Sequence, residues 1–259
     1  MGGGHRRSRN KQARAEPAVM VSRLELAVGG RSVKIEARVP NGPTRPQHML
    51  PLFRELANAV VAAAIDAAVE RGEAISCRAA CGACCRQLVP ITPAEAHDLA
   101  DRLRVLPHPR RRELGARLAA ARARLQSSGL LDTLLAPEQV SEADKESLAL
   151  RYFALGIPCP FLEAESCSIH PERPVACREY LVTSDAKHCA APAPDTIRMV
   201  PLAGEVSSAL ALVDAADDAR APWVPLIVAA EWSQAHPDLG EALPAPEILH
   251  RALARLGQG

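Results

Sequence analysis

Apolar and polar residues alternate through Leu24, Leu26 and Val28, and again through Val33, Ile35, Ala37 and Val39. A period of two marks half-buried strands, and Gly29-Gly30-Arg31-Ser32 between the runs supplies turn residues, so this stretch predicts a β-hairpin. Pro40 to Pro51 holds four prolines and reads as a linker or extended crossing. From Leu52 to Glu70 the sequence LFRELANAVVAAAIDAAVE predicts a long alanine-rich helix, ended by Arg71-Gly72. Thr92-Pro93-Ala94-Glu95 offers a capping box with proline at the first helical position, which opens a helix to Leu106 that Pro107 and Pro109 close. Between Arg110 and Gln126 the residues Leu114, Leu118, Ala121 and Leu125 form one stripe at helical period. Ser141-Glu142-Ala143-Asp144 starts a further helix that reaches Leu155 and stops at Gly156. Downstream, Thr196 to Leu202 reads as a strand, and Val206 to Asp218, Pro225 to Gln234 and Pro246 to Leu256 read as helical.

The pattern is that of a mainly α (α+β) protein, an irregular helical domain with a short N-terminal β-hairpin. Aromatic residues make up only 3% of the chain against 48% hydrophobic, so aliphatic faces must build the core. The formal net charge of +1 gives no global field toward nucleic acid or a membrane, and neither is expected as a partner. Two basic segments qualify this. Arg6, Arg7, Arg9, Lys11 and Arg14 precede the first acid, Glu16, without apolar period, and are expected to form a disordered arm. Arg102 to Arg124 includes eight arginines with Glu113 the only acid, which we read as a solvated helix face, with a protein partner as the alternative use. The basic start lacks the apolar segment of a secretory signal, and Ala59 to Ile65 is far too short to span a bilayer, so a cytoplasmic protein is expected.

All eight cysteines lie between Cys77 and Cys189, where a reducing compartment would keep them as thiols. One knot holds Cys77, Cys81, Cys84 and Cys85; a second holds Cys159, Cys167 and Cys177, with Cys189 beyond. Thiolates repel one another and resist burial, so a cluster this dense calls for a cation to neutralise it. Cys77, Cys81 and Cys84 would share one stripe if their segment were helical, while Cys85 would point elsewhere unless the backbone turned at Gly82. The eight thiols suffice for two zinc sites, an iron–sulfur cluster with spare cysteines, or a polynuclear centre. His170 and His188 read as hydrogen-bonded loop histidines, while Arg78, Arg86, Arg173 and Arg178 flank the cysteines and could offset their charge.

At Cys81-Gly82-Ala83-Cys84-Cys85-Arg86, Val89-Pro90-Ile91-Thr92-Pro93-Ala94-Glu95-Ala96, Cys159-Pro160-Phe161-Leu162, Cys167-Ser168-Ile169-His170-Pro171 and Arg173-Pro174-Val175-Ala176-Cys177-Arg178, the sequence resembles the YkgJ-type cysteine cluster proteins. That resemblance implies zinc or iron chelation by Cys77, Cys81, Cys84, Cys85, Cys159, Cys167 and Cys177; Cys189 stands outside the motif. It covers less than half of the chain, and the helical insertion between the knots, the hairpin and the C-terminal region depart from it. The Cys77-x3-Cys81-x2-Cys84 spacing also resembles that of radical SAM enzymes, and flagellin lysine-N-methylases are similar to the cysteine-cluster family, so an iron–sulfur-dependent protein-modifying enzyme is one alternative. Against it, Ala83 stands where radical SAM enzymes carry an aromatic, and their barrel needs repeated βα units. A zinc-stabilised interaction module without catalysis is another. No P-loop, dinucleotide-binding glycine pattern or nucleophile elbow is present. The expected organisation is a basic arm over 1–20, hairpin and long helix over 21–75, the cysteine-cluster domain over 76–190, and a helical extension over 191–259.

Overall fold

Ten-residue strands β1 (Val19–Val28) and β2 (Arg31–Pro40) pair antiparallel in unbroken register from Val19↔Pro40 to Val28↔Arg31. Gly29 and Gly30 both have positive φ, the backbone that a two-residue hairpin turn requires and that glycine adopts without strain. The chain then passes through β3 (Pro43–Thr44) and a 3-10 turn at Pro46–Met49 into α1 (Leu50–Glu70). This computed structural model describes residues 19–193, 195–213, 222–238 and 241–256. The basic arm therefore lies outside the described residues up to position 18, and Val19 and Met20 already belong to β1.

Beyond α1 come β4 (Pro90–Ile91), α2 (Pro93–Val105), α3 (His108–Ser127), α4 (Leu131–Leu135) and α5 (Glu142–Ala154). The second cysteine segment contributes β5 (Leu162–Glu163), β6 (Ser166–Cys167), α6 (Val175–Glu179) and α7 (Ala186–Ala190). The C-terminal region adds α8 (Val206–Ala211), β7 (Val224–Pro225), α9 (Ala229–Ala235), β8 (Leu243–Pro244) and α10 (Ala245–Leu256). Among the described residues the molecule is mainly α, and its sheets are antiparallel strand pairs, β1 with β2, β3 with β8, β4 with β7 and β5 with β6. They contain no parallel βα repeat.

Burial explains the placement of α1. Leu50, Leu52, Phe53 and Leu56 are at most 1% exposed and pack with Ile35 and Val39 of the hairpin, Val175 of α6, Val206 of α8 and Ile248 of α10. Each such side chain contributes roughly 1.5–3 kcal/mol. A second cluster joins Ala121 and Leu125 of α3 to Leu131 and Leu134 of α4 and Leu148 and Tyr152 of α5. A third joins Ile91, Ala96, Leu114, Val224 and Ala229 to Phe161, two residues from Cys159. The second cysteine segment thus rests on two cores at once, through Phe161 on one side and Val175 on the other.

The Cys77–Gly82 segment is a loop with a turn at Ala79-Ala80, followed by a 3-10 turn at Ala83–Arg86, so the helical condition for a shared stripe of Cys77, Cys81 and Cys84 is not met. Two expectations need correction. The strand expected over Thr196 to Leu202 is reduced to one bridge, Val182↔Met199, flanked by hydrogen bonds from Thr183 N to Arg198 O and from Val200 N to Leu181 O. The helix expected from Val206 to Asp218 spans Val206–Ala211, and its end beyond position 213 lies outside the described residues. The arginine-rich stretch is a solvated face neutralised from elsewhere in the fold: Arg117 meets Glu113 and Glu163, Arg110 meets the same two acids, and Arg122 meets Glu231.

Candidate metal centre

The loop that follows α1 is fixed before any cysteine is considered. Ser76 N donates to Val182 O at 2.9 Å, and Ser76 Oγ to Thr183 O at 3.3 Å, which holds the Cys77 side of the loop against the chain after α6. Ala80 takes the left-handed backbone, φ 59°, and Cys81 N closes on Arg78 O. Gly82 does not make the turn, since its φ is −95°. It permits close approach instead: a Cβ there would lie 2.6 Å from Glu165 Oε2, 2.7 Å from Leu162 Cδ1 and 3.2 Å from Glu165 Cα, so the β5–β6 hairpin packs closely over this glycine.

The two knots are tied directly. Cys159 N donates to Cys85 O at 2.7 Å. Arg86 donates through both guanidinium nitrogens to Glu165 at 3.1 and 2.6 Å, and to Gly82 O at 2.9 Å, so it bridges the loop and the β5–β6 turn. The α7 helix, which carries Cys189, packs on the 3-10 turn of Cys84 and Cys85. All eight cysteines are unpaired by disulfides; Cys189 is buried and the others half-buried.

Electrostatics show which thiols share a neighbourhood. Cys84 lies at the junction: its pKa is pushed far up by a hydrogen bond with the Cys85 thiol, then by burial and the charge of Cys85. Burial raises Cys177 strongly and Cys159 to about 12, and both also feel Cys84 and Cys167 as like charges. Burial likewise raises Cys77 and Cys189, where the coupled charges are Cys84 and Cys81. The like-charge couplings thus link Cys84 with Cys159, Cys167 and Cys177, and Cys84 also with Cys77 and Cys189, with Cys85 beside Cys84. Cys189 joins the group although it stands outside the motif. His170 is exposed, and its pKa is lowered first by Arg173 and then by burial.

Cations surround these thiols. The guanidinium of Arg178 is buried and donates to Arg173 O, Asn58 Oδ1 and Pro171 O, all neutral acceptors. Arg173 pulls down the pKa of Cys77, Cys84 and Cys167 against the effect of burial, and Arg178 does so for Cys167. Arg86 is engaged with Glu165, and Arg78 is exposed. Sequence reasoning missed several supporting groups. Glu95, read only as a capping residue, closes the capping box through one carboxylate oxygen and accepts from Val175 N at 2.6 Å through the other. It thereby anchors α6, and with it Cys177, to the start of α2. Tyr180 accepts from Gln87 Nε2 at 3.2 Å; burial raises its pKa to about 12, and the neighbouring Cys189 thiol adds to the rise. Asn58 looks like any polar helix position in the sequence, and only the fold brings it to Arg178.

Residues 76–195 match a family model described as "CxxCxxCC: Putative zinc- or iron-chelating domain". No curated protein and no solved structure matches the chain significantly. The matched CxxCxxCC segment is less than half of the 259 residues, begins one residue before Cys77 and ends beyond Cys189, so it contains every cysteine. Hairpin, α1 and the elements after α7 lie outside it, yet α1 and α8 supply the walls against which the domain's Val175 is buried. Among the described residues no three Cys, His, Asp or Glu side chains already converge at metal-holding distance. The donor set is nonetheless chemically suited to zinc or iron: many soft thiols, little carboxylate, and guanidinium groups able to balance thiolate charge.

Proposed function

We propose that this protein binds zinc or iron through thiolates contributed by both cysteine knots, with Cys84 at the junction and Cys159, Cys167 and Cys177 as the ligands from the second knot. Cys77, Cys81, Cys85 and Cys189 complete a donor set large enough for a second ion or an iron–sulfur cluster. What supports this reading is the direct tie between the two knots, Cys159 N donating to Cys85 O, together with the like-charge coupling of Cys84 to Cys159 and Cys177. Burial holds Cys159 and Cys177 protonated, and among the described residues no three possible ligands stand ready at metal-ligand spacing. Loading then requires loss of protons and rotation of cysteine side chains onto the ion. A bound cation supplies the positive charge that makes buried thiolates tolerable.

A site dominated by thiolates suits a structural or redox role better than zinc hydrolysis, which usually draws on His or carboxylate ligands with one open position. Titrating metal-free protein with Zn2+ and with Fe2+ plus sulfide under anaerobic conditions tests the reading. Zinc binding is expected to release protons and leave the protein colourless; cluster assembly would give brown protein absorbing near roughly 400 nm. Failure to take up either metal, with the fold intact, would refute it.

A further inference from the structure

The sheet of β1 and β2 has two strands, so among the described residues the outer edge of β1 has no strand beside it. Such an edge presents a row of N–H and C=O groups that pairs readily unless proline, a bulge or an inward-pointing charge blocks it. β1 has none of these: it contains no proline, pairs with β2 without interruption, and points its charges to the exposed face. Its free end also leaves Val19, Met20 and Val21 exposed at 59%, 42% and 47%.

The hairpin fixes which residues face that edge. A two-residue turn closes on a hydrogen-bonded pair, here Val28↔Arg31, and such pairs alternate along the ladder. Even-numbered residues of β1 therefore address β2, while Val19, Val21, Arg23, Glu25 and Ala27 address the open edge. A second copy related by a twofold axis can pair antiparallel only with odd positions opposite odd positions. Centring that axis on Arg23 sets arginine against arginine, and centring it on Glu25 sets glutamate against glutamate. Centres nearer either end leave much of the strand unpaired. Centring on Leu24 pairs Met20 through Val28 with the same stretch of the second copy and sets Arg23 against its Glu25.

We infer that the β1 edge is a self-association surface, joining two copies through β1 in the register centred on Leu24 into one four-stranded sheet. The surrounding residues fit that register on both faces. Arg23 already pairs with Glu36 at 2.7 Å, and Glu25 lies opposite Lys34. The exposed face would then read Glu36, Arg23, Glu25, Lys34 across the two hairpins, with opposite charges adjacent at every step. On the core face the row would be Ile35, Leu24, Leu24, Ile35, while Met20 would meet Val28 and Ser22 would meet Leu26. Val21, now exposed, would gain Ala27 as its neighbour. This inference does not depend on the metal reading.

Sedimentation of the full chain over roughly 10–100 μM tests it, a range in which edge-to-edge association should be populated. Wild type is expected at twice its 27.6 kDa. Arg23→Glu leaves only acids at positions 23 and 25, Glu25→Arg only arginines, and each variant alone is expected to dissociate at least tenfold more readily than wild type. Mixed in equal amounts, the two variants restore both cross-copy pairs, so the mixture is expected to regain the dimer. A hairpin that had failed to fold could not recover in this way. Wild type that stays at 27.6 kDa, single variants that associate as tightly as wild type, or a mixture that does not recover would each overturn the inference.

Discussion

At the scale of single residues, Cys84 is the position on which the two cysteine knots converge, and its chemistry depends on protons. Burial raises Cys159 to about 12 and pushes Cys177 up as well, whereas an unfolded thiol titrates near about 8.5. Between those values the folded metal-free chain keeps protons that the unfolded chain has lost, so its stability is fully present below the lower value and falls as pH rises toward the upper. Metal-free protein should therefore lose thermal stability from about pH 8.5 upward, while loaded protein, its thiolates held by the ion, should not; thermal midpoints of the two forms across this window check it. The cysteines were fully legible in the sequence because clustering alone distinguishes them. Tyr180, Asn58 and the second role of Glu95 were not, since a hydroxyl, an amide or a carboxylate becomes specific only when folding places a partner beside it.

At the scale of elements, the link between loop, β5–β6 hairpin and α6 decides whether the thiols meet. Gly82→Ala inserts a methyl 2.7 Å from Leu162 Cδ1 and 3.2 Å from Glu165 Cα, so the Leu162 and Glu165 side chains must move and the hairpin must shift slightly on the loop. A loss of about 1–3 kcal/mol in denaturant unfolding is expected, together with weaker metal retention. Glu95→Ala removes the capping box and the acceptor of Val175 N together, and should cost about 1–3 kcal/mol in the same measurement. Glu179 ties the C-terminal end of α6 to α8 by accepting from Val206 N and Ser207 N, yet burial raises its pKa to about 7. The folded chain thus holds this proton between the ordinary carboxylate range and about 7, and stability contributed by the protonated form is lost as pH rises through that window. Glu179→Gln is expected to flatten the pH dependence of the thermal midpoint there. Helices with explicit start and stop signals, such as α1, α2 and α5, were readable within a residue or two. The Thr196–Leu202 strand was misread because the local sequence says nothing about whether a partner strand exists.

At the scale of the whole molecule, the cysteine domain is enclosed by elements from outside it: α1 and α8 bury Val175, and β7 pairs with β4 beside α2. The long insertion between the knots packs α3, α4 and α5 around one core that Ile227 and Val228 of the C-terminal region also enter, and its arginines meet acids from β5 and α9, partners that no local reading of the sequence could supply. On the proposed function, metal clasps distant segments, so that binding free energy should appear as folding free energy. The most direct test is elemental analysis of the full chain purified anaerobically, wild type beside Cys84→Ser. Wild type should carry zinc or iron in near-integral amounts per chain, and the variant should lose most of it. Wild type without either metal, or a variant that retains the full complement, would contradict the account.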